Sequence, residues 1–275
     1  MKRPVSLLTV LIMIITFGNA CAQTQLTALN VGKGDALIVQ TDEATLLIDT
    51  GKAKASDTLL AALERLNIDC IDAVFITHTD KDHTGGLKAL RKSDVVIGDI
   101  YASKYYPESS TDKHPAVKAA EKLDKEVTFL GVGDVLKFGG TTLHVLAPIE
   151  EIPDNEDDNS LVMMLENEDG KILFCGDMEY KEEMMLLESG ADLSCDVLKV
   201  PNHGDSDVCS EALIKACGAK TAVISTNSDD KPGTPDPAVL ANLTSNGVTV
   251  WITQNYAFGI VTVLNKGKIY TEGQD

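Results

Sequence analysis

Apolar and polar positions follow two rhythms along this chain, an alternating or continuous apolar run of strand length and a three-to-four spacing of helix type. Leu26-Thr27-Ala28-Leu29-Asn30-Val31 and Ala36-Leu37-Ile38-Val39 read as strands around a glycine loop, Gly32-Lys33-Gly34-Asp35. Thr45-Leu46-Leu47-Ile48-Asp49 is a third strand, closed by Thr50-Gly51. From Ser56 to Leu66, Leu59, Leu60, Leu63 and Leu66 recur at helical spacing. Ala73-Val74-Phe75-Ile76-Thr77 is apolar without interruption, the pattern of a strand covered on both faces. Further strands are predicted at Val95 to Ile97, near Val127 and Val135, and at Leu143 to Leu146, Ser160 to Leu165 and Lys171 to Cys175. Val197 to Val200, Thr221 to Ser225, Val248 to Ile252 and Gly259 to Leu264 complete the strand series. Helices are predicted at Gly86 to Arg91, Ala116 to Leu123, Lys181 to Glu188, Ser210 to Ala216 and Pro237 to Ser245. The acidic stretch Ile149 to Asp158, with Pro153 inside it, reads as a loop. Strands interleaved with helices, and no low-complexity linker, predict one layered α/β domain over residues 23–275.

The first 22 residues break this grammar. Met1-Lys2-Arg3 is a short basic start, Val5 to Phe17 is mostly apolar, and Ala20-Cys21-Ala22 supplies small residues. The segment therefore reads as an export signal, with cleavage after Ala22 or lipidation of Cys21 as its two outcomes. The expected location is extracytoplasmic, secreted or held at a membrane through Cys21. Five cysteines remain, Cys70, Cys175, Cys195, Cys209 and Cys217, in no zinc-knuckle spacing. They are expected to be buried free thiols, with a Cys209–Cys217 bridge left open. The net charge of −18 argues against a tight, non-specific binder of nucleic acid or anionic membranes.

Chemistry concentrates in Ile76-Thr77-His78-Thr79-Asp80-Lys81-Asp82-His83-Thr84-Gly85-Gly86. Two imidazoles and two carboxylates fall within six residues, directly after a buried-type strand. Imidazole and carboxylate suit zinc, manganese or iron, and a loop lets alternate side chains converge on one point. Asp177 ends an apolar strand after a glycine, and His203 stands at another strand-to-loop transition. His144 alternates with apolar neighbours and reads as structural, as does Trp251. Tyr101, Tyr105 and Tyr106 precede the polar His114-Pro115 loop and read as anchors into the core.

The run His-x-Asp-x-Asp-His-x-Gly-Gly resembles the metal motif of metallo-β-lactamase-fold hydrolases. More narrowly it is similar to the hydrolase domain at the end of the ComEC competence proteins, where an aspartate, here Asp80, stands in place of a second histidine. Val31-Gly32-Lys33-Gly34-Asp35-Ala36, Leu47-Ile48-Asp49-Thr50-Gly51, Asp158-Asn159-Ser160-Leu161-Val162, Leu173-Phe174-Cys175-Gly176-Asp177-Met178-Glu179 and Asp196-Val197-Leu198-Lys199-Val200-Pro201-Asn202-His203-Gly204 resemble further elements of that branch, in order across nearly the whole chain. The resemblance implies an αββα sandwich of two mixed sheets flanked by helices. It also implies two divalent ions, zinc or manganese: His78 and Asp80 on the first, Asp82, His83 and His203 on the second, and Asp177 between them.

Asn159 stands where most of the superfamily has a third first-site histidine, so the first site is expected to bind weakly. Asn202 replaces the first of two adjacent histidines, and Thr234-Pro235 replaces a His-Pro. Asp82 is expected to be catalytic, orienting a metal-activated hydroxide and relaying its proton. A divalent cation lowers the pKa of bound water from about 16 to about 7. Asp49 is expected either to fix a ligand imidazole or to close its strand end by bonding the Thr50-Gly51 backbone. Asp35 and Lys33, with Asn159, Asn202, Ser206 and Asn227, are expected beside the metals or the substrate. The leading expectation is an exported phosphodiesterase or nuclease, monomeric, acting on a small or oligomeric phosphodiester, DNA included. The alternatives are a hydrolase of another ester, thioester or amide, and a degenerate module that binds without catalysis.

Overall fold

Period-two alternation lets a strand covered on both sides bury both faces. In the fourth strand Ala73 and Phe75 point into one apolar layer while Val74 and Ile76 point into another. The computed structural model describes residues 23–106, 113–153, 155–206 and 208–275. The predicted export segment, residues 1–22 with Cys21, lies outside the described residues. In chain order the strands are β1 (Thr24–Leu29), β2 (Leu37–Gln40), β3 (Thr45–Ile48), β4 (Cys70–Ile76) and β5 (Val96–Ser103). There follow β6 (Val127–Leu130), β7 (Val135–Phe138), β8 (Thr141–Ala147), β9 (Val162–Asn167) and β10 (Gly170–Phe174). The last are β11 (Val197–Lys199), β12 (Thr221–Ile224), β13 (Thr249–Ile252), β14 (Gly259–Asn265) and β15 (Lys268–Gln274). The helices are α1 (Ser56–Arg65), α2 (Lys81–Thr84), α3 (Leu87–Leu90), α4 (Pro115–Ala120), α5 (Tyr180–Glu188), α6 (Glu211–Cys217) and α7 (Pro237–Ser245).

The strands form two mixed sheets. One has the order β15-β14-β1-β2-β3-β4-β5-β6 and the other β13-β12-β11-β10-β9-β8-β7. Their inner faces share one core, with Leu26, Phe75, Leu165 and Phe174 among its members. On the outer face of the first sheet, Leu59 and Leu63 of α1, Leu87 and Leu90 of α3 and Ala116 of α4 complete a second core. Leu186 of α5, Leu213 and Ile214 of α6 and Leu243 of α7 cover the second sheet. The result is the αββα sandwich expected from the motifs, in one domain.

Four local features depart from the sequence reading. β15 was not expected, because Lys-Ile-Tyr-Thr-Glu-Gly-Gln is an edge strand without a fully buried position. The metal motif coils into α2 instead of staying an open loop. The Ile149 to Asp158 loop closes in a 3-10 turn at Asp157–Asn159. Cys70 is exposed, while Cys175, Cys195, Cys209 and Cys217 are buried free thiols. The anchor role holds for Tyr101, which is buried and stacks on Phe75 with centroids 5.0 Å apart. His114 caps α4, its Nδ1 accepting from the Ala116 N–H at 3.0 Å. Burial pushes its pKa down to about 4. Among the described residues, no helix is long and apolar enough to cross a membrane.

Glu182 on α5 yields a pH-dependent prediction. Its side chain is fully buried, Oε1 accepts from the Ile149 N–H at 2.8 Å, and Oε2 has no hydrogen-bond partner. Burial pushes its pKa up to about 7. A raised carboxylate pKa means that the folded state resists ionisation, so stability is lost as pH climbs from the unfolded value near 4.5 through 7. Glu182→Gln keeps the Ile149 acceptor and removes that loss. The variant is expected to gain on the order of 1–3 kcal/mol over the natural protein at pH 8, with most of the gain gone at pH 5. Paired urea melts at the two pH values check this, and an equal difference at both would contradict it.

Candidate metal centre

Parallel strand pairing brings the functional side chains to one end of the sandwich. β3, β4 and β5 run parallel, so Asp49, His78 and Ser103 leave that sheet at the same edge. β10, β11 and β12 are also parallel and deliver Asp177, His203 and Ser225 from the facing sheet. The two edges meet, with the His83 and His203 rings 5.3 Å apart. Gly34, at φ +147°, lets the glycine loop press on α2: a Cβ there would lie 2.5 Å from the Asp82 carbonyl. The Asp35 N–H donates to that same carbonyl at 3.2 Å. On the other side Gly86 admits the Thr50 carbonyl, which would lie 2.2 Å from a Cβ. The Thr50 N–H then donates to the His83 carbonyl at 2.7 Å.

The histidines are oriented by what their Nδ1 atoms touch. His83 Nδ1–H donates to Asp49 Oδ2 at 2.7 Å, and His203 Nδ1–H donates to the Ser225 carbonyl at 2.7 Å. Thr77 Oγ1 donates to Asp49 Oδ2 at 2.7 Å, so its lone pair is left to accept from His78 Nδ1–H at 3.1 Å. All three rings therefore turn an Nε2 lone pair toward one volume, the arrangement by which outer partners fix a metal-binding tautomer. His83 Nε2 and His203 Nε2 are 3.3 Å apart. Asp177 sits between them, with Oδ2 3.0 Å from His203 Nε2 and Oδ1 3.2 Å from His83 Nε2. Asp177 Oδ1 makes no aligned hydrogen bond, and the buried His78 Nε2 has no hydrogen-bond partner.

Such a set of acceptors fits a cation. Ligand atoms of His78, His83 and Asp177 lie within 4.8 Å of one another, as do those of Asp82, His83 and His203. The electrostatics agree. Burial alone would lower the pKa of His83, yet Asp177 and Asp49 hold it well above the usual imidazole value. Burial would raise Asp177, yet the imidazoles of His203 and His83 hold it well below the carboxylate range. His78, buried and facing His83, is pushed down to about 3. Burial, with Asp177 and Asp80 beside it, pushes Asp157 up to about 7. Carboxylates crowded in this way repel one another unless positive charge lies between them.

The expected residues divide into those the structure gathers and those it does not. His78, Asp80, Asp82, His83, Asp177 and His203 converge. Asp49 bonds Thr77 and His83 rather than the Thr50-Gly51 backbone. Asp35 lies behind the centre, in a fully buried pair with Lys199 at 2.8 Å and 3.9 Å from His203 Nδ1. Four expected residues lie away from the cluster. Asn159 does not face the cluster: its amide bonds Ile152 N–H, Ile152 O and Asn155 O, all within the loop. Asn202 turns away to donate to Glu179 Oε1 at 3.1 Å. Ser206 stands exposed, its N–H on Asp205 Oδ1. Asn227 closes its own turn by accepting from Asp229 N–H. The sequence reading missed Asp157, whose Oδ1 lies 3.7 Å from His78 Nε2, and Glu156, which accepts from the Thr79 N–H at 2.6 Å. The position of both inside an acidic loop gave no signal to single them out.

The fold and this cluster place the chain in the metallo-beta-lactamase superfamily, whose family model matches residues 29–228. Proteins of that superfamily are in general hydrolases, and the fold typically binds divalent metals. The chain is 25% identical over 260 residues to ComE operon protein 3 of Bacillus subtilis, a ComEC-family protein, covering 88% of this chain and 33% of that one. It is 34% identical over 108 residues to exodeoxyribonuclease YycJ of Bacillus anthracis, covering 38% of each. The match thus spans 33% of the length of the first curated relative and 38% of the second. The crystal structure of the metallo-beta-lactamase fold protein YhfI from Bacillus subtilis superposes with a TM-score of 0.57 at 15% identity, over 92% of this chain and 100% of that one. That likeness concerns the fold.

Proposed function

We propose that this protein is a metal-dependent phosphodiesterase acting on nucleic-acid fragments. The observation that carries the reading is Lys33, whose ammonium lies 2.8 Å from Asp82 Oδ2 and 3.9 Å from Asp177 Oδ2. It brings a cation to the mouth of the centre in a chain of net charge −18. Asp230 gathers more around it: its carboxylate accepts from the Lys33 N–H at 3.2 Å, from Lys52 at 3.1 Å and from Lys54 at 2.7 Å. Lys231 pairs with Asp205, just past His203. A lysine-rich rim over a carboxylate–imidazole centre suits an anionic ester whose negative oxygens meet ammonium groups. The name of the exodeoxyribonuclease relative supports the same substrate class.

In this reading His78, Asp80 and Asp177 would hold one divalent ion, and Asp82, His83, His203 and Asp177 would hold another, zinc or manganese. When bound, the ions would supply an activated water and neutralise charge on the phosphoryl oxygens. The chain's own residues do the rest. Lys33 Nζ, on Asp82 Oδ2, aims the carboxylate until substrate arrives, and Asp82 then accepts the proton of the attacking water. Asp49 and Ser225 O hold the His83 and His203 rings in place through Nδ1. Lys33 is then free to turn toward a non-bridging phosphate oxygen once substrate arrives.

The rim separates a nucleic-acid fragment from a small ester. Lys52→Ala/Lys54→Ala is expected to raise KM for a single-stranded oligodeoxynucleotide several-fold. It should also flatten the log KM against log salt slope by about one unit or more. Hydrolysis of bis-p-nitrophenyl phosphate, too small to reach the rim, should stay within about twofold. If the oligodeoxynucleotide is not cleaved while a thioester or another carboxylic ester is, the phosphodiester assignment fails.

A further inference from the structure

We infer that Asp157 is a ligand of the first cation, in the place that the sequence pattern assigns to Asn159. The inference rests on the two-cation reading and goes beyond it by naming the residue that completes the weaker-looking site.

The 3-10 turn Asp157–Asn159 explains the exchange. With about three residues per turn, side chains two positions apart point to different sides. Asn159 points into the loop, where its amide is consumed by three bonds to Ile152 and Asn155. Turning it toward the cation site would strand the buried Ile152 N–H. Asp157 points the other way, its Oδ1 3.7 Å from His78 Nε2. Ligand atoms of His78, Asp80 and Asp157 all lie within 4.8 Å of one another. The second observation is independent of the carboxylates. His78 is buried, its Nδ1 faces Thr77, and its Nε2 points into this group without a hydrogen-bond partner. The loop is pinned there by Glu156, which accepts from the Thr79 backbone in the middle of the metal motif.

The donor count has a consequence for metal choice. The first site would then hold one imidazole, from His78, and carboxylates from Asp80, Asp157 and Asp177. The second holds two imidazoles, from His83 and His203, with Asp82 and Asp177. Oxygen-rich sets favour manganese and imidazole-rich sets favour zinc. The two sites are therefore unequal, the first tolerant of manganese and the second selective for zinc.

The test is metal binding by the chelated full chain, read by calorimetry and metal analysis with zinc alone and manganese alone. The natural protein is expected to bind two equivalents. Asp157→Asn should keep the tight equivalent and weaken the other at least about tenfold. Asp157→His should keep both equivalents and shift the weaker site toward zinc. Asp157 is part-exposed and the asparagine has the same shape, so both variants are expected to melt within a few degrees of the natural protein. Two equivalents of unchanged affinity in Asp157→Asn would overturn the assignment and leave the two-cation reading intact. No metal bound by the natural protein would overturn that reading itself.

Discussion

Asp82→Ala is expected to lower phosphodiester turnover about 10²–10⁴-fold, the range for loss of a positioned proton acceptor. The chain should keep its fold. The Asp82 side chain is part-exposed and, among the described residues, hydrogen-bonded to Lys33 alone, while the link from α2 to the glycine loop runs through its backbone carbonyl, which alanine retains. Against the effect of burial, neighbouring His83, Lys33 and His203 hold the Asp82 carboxyl below its usual range, so it is ionised at neutral pH. Circular dichroism and a thermal melt should match the natural protein closely while turnover collapses. Undiminished turnover in this variant would refute the role given to Asp82.

Lys199→Met is expected to produce the largest loss of stability. Lys199 and Asp35 are both almost fully buried, and the Lys199 ammonium also donates to the Val200 carbonyl at 2.9 Å. Methionine fills the space of the stem but leaves Asp35 as an uncompensated buried charge beside His203. Breaking a buried pair from one side typically costs about 3–5 kcal/mol. For a chain of this size that is a fall in melting temperature on the order of 10 °C. Lys199→Met/Asp35→Asn removes both charges and should recover a large part of it. A double variant no more stable than the single one would show that the loss comes from packing rather than from the orphaned carboxylate.

Much of the centre was legible because its chemistry is contiguous. His78, Asp80, Asp82 and His83 lie in one short run after an apolar strand, and Asp177 and His203 each follow a strand of the facing sheet. What stayed hidden depends on contacts between distant segments. Nothing in the chain announces that Lys199 on β11 will meet Asp35 in the glycine loop, or that Asp230 will collect Lys52 and Lys54. Asp157 sits in Asn155-Glu156-Asp157-Asp158-Asn159, where any carboxylate could be the ligand until the turn direction is known. β15 escaped because an edge strand needs only backbone pairing to β14, without a buried face to mark it.

The most direct test is hydrolysis of bis-p-nitrophenyl phosphate by the chelated protein before and after refilling with manganese or zinc, with bound metal measured on the same samples. The account predicts two bound equivalents and turnover that vanishes on chelation and returns with metal. Turnover that survives complete metal removal, or full metal occupancy without phosphodiester cleavage, would contradict it.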